Sequence, residues 1–239
     1  MADLHYEHAQ LARLYDLENS WGISDEFYLM LAKKCKGYIL DMGCGTGLLS
    51  NAMAASGCKV TAVDPALAMI DIGKGREFAH VIEWVSAGVD SFQSDKRYAL
   101  TIMAGNVFQV FVNDIERLSA LRNLHRHMVP GGTLAFECRN PAVDWATRWE
   151  TSAVPIARNI SRSRHILATS DSQITFETHY YICNKELIST STLGFVTRQQ
   201  LEKLMVQSSF RIKSVFGNWD GSLFEPEYSD VMIVIAEAI

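Results

Sequence analysis

One segment of the chain has the residue types of a nucleotide-type binding loop. It is an apolar strand that runs into a glycine-rich turn, with the sequence YILDMGCGTG at residues 38–47, and the pattern predicts a helix after it over about residues 47–55. Glycine reaches positive φ and lets a ligand lie directly against the backbone. The spacing of Gly43, Gly45 and Gly47 is Gly-x-Gly-x-Gly. The dinucleotide fingerprint would need glycine at Leu48, and no Gly-Lys-Ser/Thr of a Walker loop follows.

A carboxylate stands at the end of the next predicted strand. Asp64 follows the predicted strand 59–63 and lies 21 residues after Gly43. In an open parallel sheet a carboxylate at this position accepts hydrogen bonds from both hydroxyls of a ribose. The loop and the acid together are a stronger indication of a nucleoside-containing ligand than either one alone.

Alternating strands and helices position these groups. Helices are predicted over residues 4–17, 47–55, 66–77, 114–128 and 197–207, with a further one opening at Phe27; strands are predicted over 38–40, 59–63, 81–85, 99–103, 133–138, 210–216 and 231–236. Such alternation with short connections predicts an α/β fold, a parallel sheet with helices on both faces. Residues 156–192 instead alternate polar and apolar without a helix. We therefore expect residues 151–192 to form a small antiparallel insertion that covers one mouth of the sheet, and residues 1–150 and 193–239 to form the core.

The composition is that of a folded protein with a sizeable core. The 239 residues are 48% hydrophobic and 21% charged, which excludes disorder, and the net charge of −5 provides no overall positive field for nucleic acid or anionic lipid. The five cysteines include no CxxC pair, so we expect neither a zinc site nor a disulfide framework. We also expect no signal peptide, no membrane span, no bound metal and a cytoplasmic location.

Three motifs in order resemble those of the class I S-adenosylmethionine-dependent methyltransferases, in particular those that act on small molecules. Asp41-Met42-Gly43-Cys44-Gly45-Thr46-Gly47 is similar to their first motif, Val63-Asp64-Pro65 to their ribose-binding turn, and Val129-Pro130-Gly131-Gly132-Thr133-Leu134 to the turn before their fifth strand. The resemblance covers residues 37–140. It implies a Rossmann-like seven-stranded sheet with a reversed final hairpin, S-adenosylmethionine as cofactor and S-adenosylhomocysteine as product.

The resemblance also implies where the cofactor binds. Gly43, Cys44 and Gly45 would lie against its methionine part, Asp64 and Pro65 against the ribose, and Ala66 and Met69 near the adenine. Asp41 either fixes the loop or contacts the cofactor through water. Family members place a carboxylate after the third strand to meet the adenine amino group. Here Gly88 or Val89 stands at that position and Asp90 comes late, so backbone groups of Gly88 and Val89 are an alternative.

The end of the fourth strand and the N-terminal helices complete the expected site. Ala104 and Gly105 follow that strand, beside the expected sulfonium. In the resembling enzymes, helices equivalent to residues 1–35 form a lid, so Tyr15 and Trp21 are candidates for contact with the cofactor, although packing alone would explain these aromatic residues. The candidates for contact with the acceptor are Asn106, Gln109, Arg139 and His179.

No pair of side chains is persuasive as a catalytic dyad. His125 and His127 are expected at the surface of the predicted helix 114–128. Methyl transfer does not require a dyad, because the cofactor supplies the activated electrophile and the protein mainly aligns the acceptor and excludes water.

The favoured function is therefore in-line methyl transfer to a small molecule, with no nucleic-acid or membrane partner. One alternative is an RNA or protein methyltransferase that docks through the basic run from Arg158 to Arg164. The other is a cofactor-binding protein without catalysis.

Overall fold

The computed structural model describes residues 3–183 and 185–239. Within them the α-helices are α1 Leu4–Glu7, α2 Ala9–Ala12, α3 Tyr15–Glu18, α4 Ile23–Lys34, α5 Leu48–Ala55, α6 Leu67–Gly73, α7 Asp114–Arg126, α8 Trp145–Trp149 and α9 Arg198–Gln207. The strands are β1 Tyr38–Met42, β2 Lys59–Asp64, β3 Glu83–Ser86, β4 Tyr98–Met103, β5 Met128–Arg139, β6 Thr151–Ala157, β7 Ile160–Thr169, β8 Gln173–Ile182, β9 Lys185–Gly194, β10 Phe210–Phe216 and β11 Val231–Ala238.

The main sheet has seven strands in the order β10-β11-β5-β4-β1-β2-β3. Strands β1 to β5 pair in parallel, whereas β11 is antiparallel to both β5 and β10. The strand order reverses between β1 and β4, so their carboxyl ends flank the crevice in which open α/β sheets bind ligands. The predicted fold class, with its reversed final hairpin, is confirmed.

Helices cover both faces of this sheet because successive strand residues point to opposite sides. Ile39 lies in a buried cluster with residues of α4 and α5. Its neighbour Leu40 lies in the other large cluster, with residues of α7 and α9. Strands buried on both faces are consistent with the continuous apolar runs that the sequence shows here.

A second, separate sheet is antiparallel and four-stranded, in the order β6-β7-β8-β9. Along β8 every second residue is buried, which is the pattern of a strand with one covered face. The buried face carries Tyr180 and Ile182, which pack against Leu11 and Leu14. This sheet is therefore closed on one side by the start of the chain.

Two expectations about helices are corrected. Residues 4–17 do not form one helix, since the backbone is extended at His8 and α1, α2 and α3 are single turns that follow the surface they cover. His127 is not at the surface: α7 ends at Arg126, so His127 turns inward, where its ring contacts the Asn123 carbonyl and the Ser94 backbone N–H.

In the described part of the chain, no helix has the length and apolar character needed to cross a membrane.

Candidate functional site

The glycine loop (residues 43–47) is held rigidly at the carboxyl end of β1. The backbone N–H groups of Gly43 and Cys44 both donate to the Val63 carbonyl oxygen, at 2.7 and 3.0 Å. Gly43 has φ of +77°, and a Cβ there would lie 2.5 Å from Val107 Cγ2. Only glycine fits this close approach, so the loop keeps a fixed shape at the edge of the crevice.

Asp41 ties the loop to the helix that follows it. Its buried carboxylate accepts a hydrogen bond from the Ser50 hydroxyl on α5. Burial raises the pKa of Asp41 to about 6. The sequence leaves two roles open for Asp41, fixing the loop or contacting the cofactor through water. The contacts in the structure are those of a residue that fixes the loop.

Asp64 lies at the end of β2, where it joins the glycine loop to the next turn. Its two carboxylate oxygens accept hydrogen bonds from the backbone N–H groups of Gly45 and Ala66, each at 2.9 Å. Burial raises the pKa of Asp64, against the effect of these two bonds. A carboxylate has about four acceptor positions, so further acceptor positions remain for ligand hydroxyls.

The turn after β4 forms the other side of the crevice. Gly105 and Asn106 both have positive φ, +72° and +61°. The Asn106 N–H donates to Glu137 Oε1 at 2.7 Å, and Tyr28 donates its hydroxyl proton to the same carboxylate. The side-chain oxygen of Asn106 is buried and has no hydrogen-bond partner, so this turn presents one unused acceptor.

Glu137 is a site residue that the sequence-based prediction missed. It lies in β5, and burial raises its pKa. An acid inside the apolar run LAFEC at residues 134–138 is a signal that could have indicated it. Its role is to hold the Gly105-Asn106 turn against the sheet.

Tyr15 spans the crevice from above. A Cβ on Gly45 would lie 3.8 Å from Tyr15 Cε1, and a Cβ on Gly105 would lie 3.9 Å from its hydroxyl oxygen. The ring therefore lies over both the glycine loop and the turn after β4. Beside it, Ala12 packs with Ala66 and Met69, which are fully buried.

A polar network fastens the N-terminal segment (residues 3–19) to the loop. Asp16 accepts hydrogen bonds from Arg76 and from the Thr46 hydroxyl, and Arg76 also donates to the Thr46 carbonyl oxygen at 2.6 Å. On the other side of the N-terminal segment, Glu18 accepts hydrogen bonds from Arg162 and from the Tyr180 hydroxyl, which both lie on the antiparallel sheet. The segment thus bridges the two sheets directly over the crevice.

Arg139 and Gln109 lie together at the end of β5. Gln109 is 1% exposed; its amide donates to the Gly194 carbonyl, and its oxygen accepts from the Arg139 backbone and guanidinium. The Arg139 guanidinium stacks over Trp145 and Trp149, at 5.5 and 5.0 Å from the ring centroids. Gln109 therefore positions Arg139, while Arg139 remains a candidate for acceptor binding.

Several other candidates are not brought to the crevice. Asp90 is exposed and bonded to Ser119, because the chain turns away after Gly88, whose carbonyl accepts the N–H of Phe92. Val89 is a core residue under α7, with its carbonyl bound by Asn123. Pro65 is exposed beside Asp64.

Trp21 and His179 also have partners of their own. Trp21 donates to Glu26 and packs beside α4. His179 contacts Glu177 and Glu186 on the face of β8 opposite Tyr180, since neighbouring strand residues point to opposite faces. Cys44 is half-buried, and burial raises the pKa of its thiol well above the ordinary value, so it is no thiolate nucleophile.

Comparison with known proteins agrees with this geometry. Residues 39–132 match the model of a family described as a methyltransferase domain. The cypemycin N-terminal methyltransferase of Streptomyces sp is 32% identical over 104 residues, 44% of this chain and 42% of the relative. The ubiquinone/menaquinone biosynthesis C-methyltransferase UbiE of Rubrivivax gelatinosus is 34% identical over 142 residues, 55% of this chain and 54% of the relative.

A solved structure extends the likeness to nearly the whole fold. An S-adenosylmethionine-dependent methyltransferase from Clostridium acetobutylicum superposes with a TM-score of 0.81 at 10% identity, covering 96% of this chain and 98% of the other. At that identity the likeness is one of fold. The chain spans about half the length of the two curated relatives it matches.

Proposed function

We propose that this chain, which belongs to the class I S-adenosylmethionine-dependent methyltransferases, transfers a methyl group from that cofactor to a small-molecule acceptor. The observation that carries the proposal is the joint placement of Asp64, Gly45 and Gly105 around one crevice under Tyr15. These groups come from the carboxyl ends of β1, β2 and β4, which is where the fold binds ligands.

The residues of the crevice fit S-adenosylmethionine. Asp64 would accept the ribose hydroxyls. The N–H groups of Gly43, Cys44 and Gly45 are already bonded within the protein, so the unused Asn106 oxygen would meet the amino group at the methionine end. Ala66 and Met69 are apolar, as an adenine surface requires, but Ala12 covers them. We therefore propose that residues 1–35 act as a lid, and that the part over α6 shifts when the adenine enters.

The chain's contribution to the reaction is alignment and exclusion of water. When bound, the cofactor supplies a methyl group on a sulfonium, an activated electrophile. Tyr15 and Asn106 would hold the acceptor in line behind that methyl group, which is the geometry that lowers the barrier. Burial raises the pKa of Tyr15 above its ordinary value, so its hydroxyl stays protonated and acts as a hydrogen-bond donor rather than a base.

A small acceptor fits the closure of the site. The N-terminal segment and the antiparallel sheet close over the crevice, and we propose residues 151–192 as a cap on the acceptor side. One matched relative is named as an N-terminal methyltransferase of cypemycin and the other as a C-methyltransferase of ubiquinone/menaquinone biosynthesis, so the relatives do not indicate one common acceptor. The five cysteines are free thiols, which supports a reducing, cytoplasmic location for this chain.

The basic run at residues 158–164 does not support RNA or protein docking. Arg162 is bound to Glu18, and Arg164 stacks over Trp149 and Phe176 inside the molecule. Arg158 is exposed. The three cations thus do not share one open face.

Calorimetric titration of the purified protein with S-adenosylmethionine and S-adenosylhomocysteine, with NAD as control, tests the cofactor site. We expect binding of the first two ligands only. A screen of small acceptors for S-adenosylhomocysteine production then tests turnover. Tight cofactor binding without turnover on any acceptor would favour the non-catalytic alternative, and no cofactor binding would refute the proposal.

A further inference from the structure

Two arginines from distant parts of the chain meet on one tryptophan. Arg139 ends β5 and Arg164 lies in β7, and their guanidinium carbons are 5.0 and 5.7 Å from the ring centroid of Trp149. Arg164 also lies 4.7 Å from the ring centroid of Phe176. Trp149 itself is buried, so the two cations converge on an apolar floor.

The nearby carboxylates are already engaged. Glu137 is bound by Tyr28 and Asn106. Glu18 is bound by Arg162 and the Tyr180 hydroxyl. The charges on Arg139 and Arg164 are therefore not matched by a carboxylate of their own.

Among the described residues, neither guanidinium forms an ion pair. Arg139 donates to Gln109 at 3.0 Å, and the Nε of Arg164 is buried without a hydrogen-bond partner. Burial is the main cause that lowers the pKa of Arg139 to about 10; Glu137 opposes the shift, and the neighbouring Arg164 adds to it. Arg139 and Arg164 are half-buried, and charge that is partly removed from water without a counter-charge is unfavourable, so an anion bound between them would be stabilised.

The pair lies beside the proposed methyl-transfer site. Gln109, which binds Arg139, is three residues from Asn106 at the turn after β4. Tyr6 is half-buried and lies close enough to Asp64, Arg139 and Arg164 for all three charges to influence its pKa, although loss of solvation is the main cause of its rise to about 12. An acceptor bound at the arginines would thus reach towards the cofactor crevice.

We propose that Arg139 and Arg164 bind a carboxylate or phosphate group of the methyl acceptor, against Trp149. The inference rests on the proposed function and adds to it the chemical class of the substrate. Guanidinium groups present parallel N–H donors that match the oxygens of such anions. Gln109 is a positioning residue, because it fixes Arg139 through two hydrogen bonds and does not itself face the anion.

The test uses sodium phosphate and sodium acetate as probes on protein saturated with S-adenosylhomocysteine. Their affinities are measured by calorimetry at constant ionic strength for the wild type, Arg139→Gln, Arg164→Gln and the control Arg158→Gln. The control removes the same charge from an exposed position of the same run. We expect each of the first two substitutions to weaken anion binding about tenfold or more, and the control to leave it unchanged.

The two probes separate the possible sources of the anion. Tighter binding of phosphate indicates a phosphorylated acceptor, and tighter binding of acetate a carboxylate. Wild-type protein that binds neither probe, or equal affinities in all three variants, would overturn the inference. Titration of each variant with S-adenosylhomocysteine shows whether the variant is folded and still binds the cofactor product. A variant that binds S-adenosylhomocysteine normally but not the anion has lost only the anion site, whereas a failure of the proposed function would appear as loss of S-adenosylhomocysteine binding in the wild type.

Discussion

At the scale of single residues, Asp64 is the side chain on which cofactor binding depends most. Asp64→Ala removes the acceptor for the ribose hydroxyls and for the Gly45 and Ala66 N–H groups. Hydrogen bonds to charged groups contribute about 1.5–3 kcal/mol, so S-adenosylhomocysteine should bind roughly ten- to a hundredfold more weakly in calorimetric titration. Asp90→Ala is the matched control, because Asp90 is exposed and bonded to Ser119. Equal losses in both variants would show that the ribose is placed wrongly.

Asp41 makes a separate prediction about stability and pH. Its pKa in the folded state, about 6, lies above the ordinary value of 3.8. The native state therefore keeps a proton that the unfolded chain has lost between these pH values, and stability falls as the pH rises through 6. Asp41→Asn keeps the shape without the charge. The free energy of unfolding of the variant minus that of wild type, measured in urea, should be up to about 3 kcal/mol larger at pH 8 than at pH 4. A difference that is the same at both pH values would contradict this.

Residues fixed by local chain geometry were predictable, and those fixed by distant contacts were not. The positive φ of Gly43 and Gly45 and the strand-end place of Asp64 follow from neighbouring residues alone. Arg164 meets Trp149 only because β7 pairs with β8 and folds back over α8. No spacing in the sequence encodes that meeting.

At the scale of elements, the N-terminal segment is the part whose attachment can be tested. Arg76→Gln weakens the bonds that join Asp16 to Thr46. Hydrogen exchange of amides in α3 should become several-fold faster, because local opening then requires less free energy. Lys96→Gln is the control, since it breaks a solvent-exposed pair with Glu83 away from the segment. Unchanged exchange in α3 would show that apolar packing alone holds the segment.

The N-terminal segment also shows which features of an element its sequence pattern does not predict. Apolar spacing predicted one helix over residues 4–17, but the chain must cover α6 on one side and the antiparallel sheet on the other, and it bends at His8 to do so. Alternation in β8 predicted a strand correctly. It did not say which face is covered, and so His179 was expected at the site although Tyr180 is the residue that faces the N-terminal segment.

At the scale of the whole molecule, residues 16–18 of the N-terminal segment link the two sheets, in addition to the hydrogen bond from Gln109 to Gly194 of β9. Asp16 is bound to the glycine loop and Glu18 to the antiparallel sheet, two residues apart on α3. Cofactor binding that orders Tyr15 and Asp16 should therefore also stabilise β7 and β8. The alternation of strands and helices predicted the main sheet, and the polar–apolar alternation of residues 156–192 predicted the antiparallel one. The linkage between them depends on side chains that are distant in sequence from their partners.

Glu18→Gln tests the linkage. The substitution weakens the ion pair with Arg162 and leaves the bonds of Asp16 in place. In wild-type protein, S-adenosylhomocysteine at about 100 times its dissociation constant should add about 2.7 kcal/mol of stability and slow hydrogen exchange in α5, β7 and β8. In Glu18→Gln the slowing should persist in α5 and diminish in β7 and β8, because the ordered segment no longer holds Arg162. Equal slowing of β7 and β8 in the two proteins would mean that the sheets are coupled through other contacts, such as the apolar packing of Leu11 and Leu14 or the bond from Gln109 to Gly194.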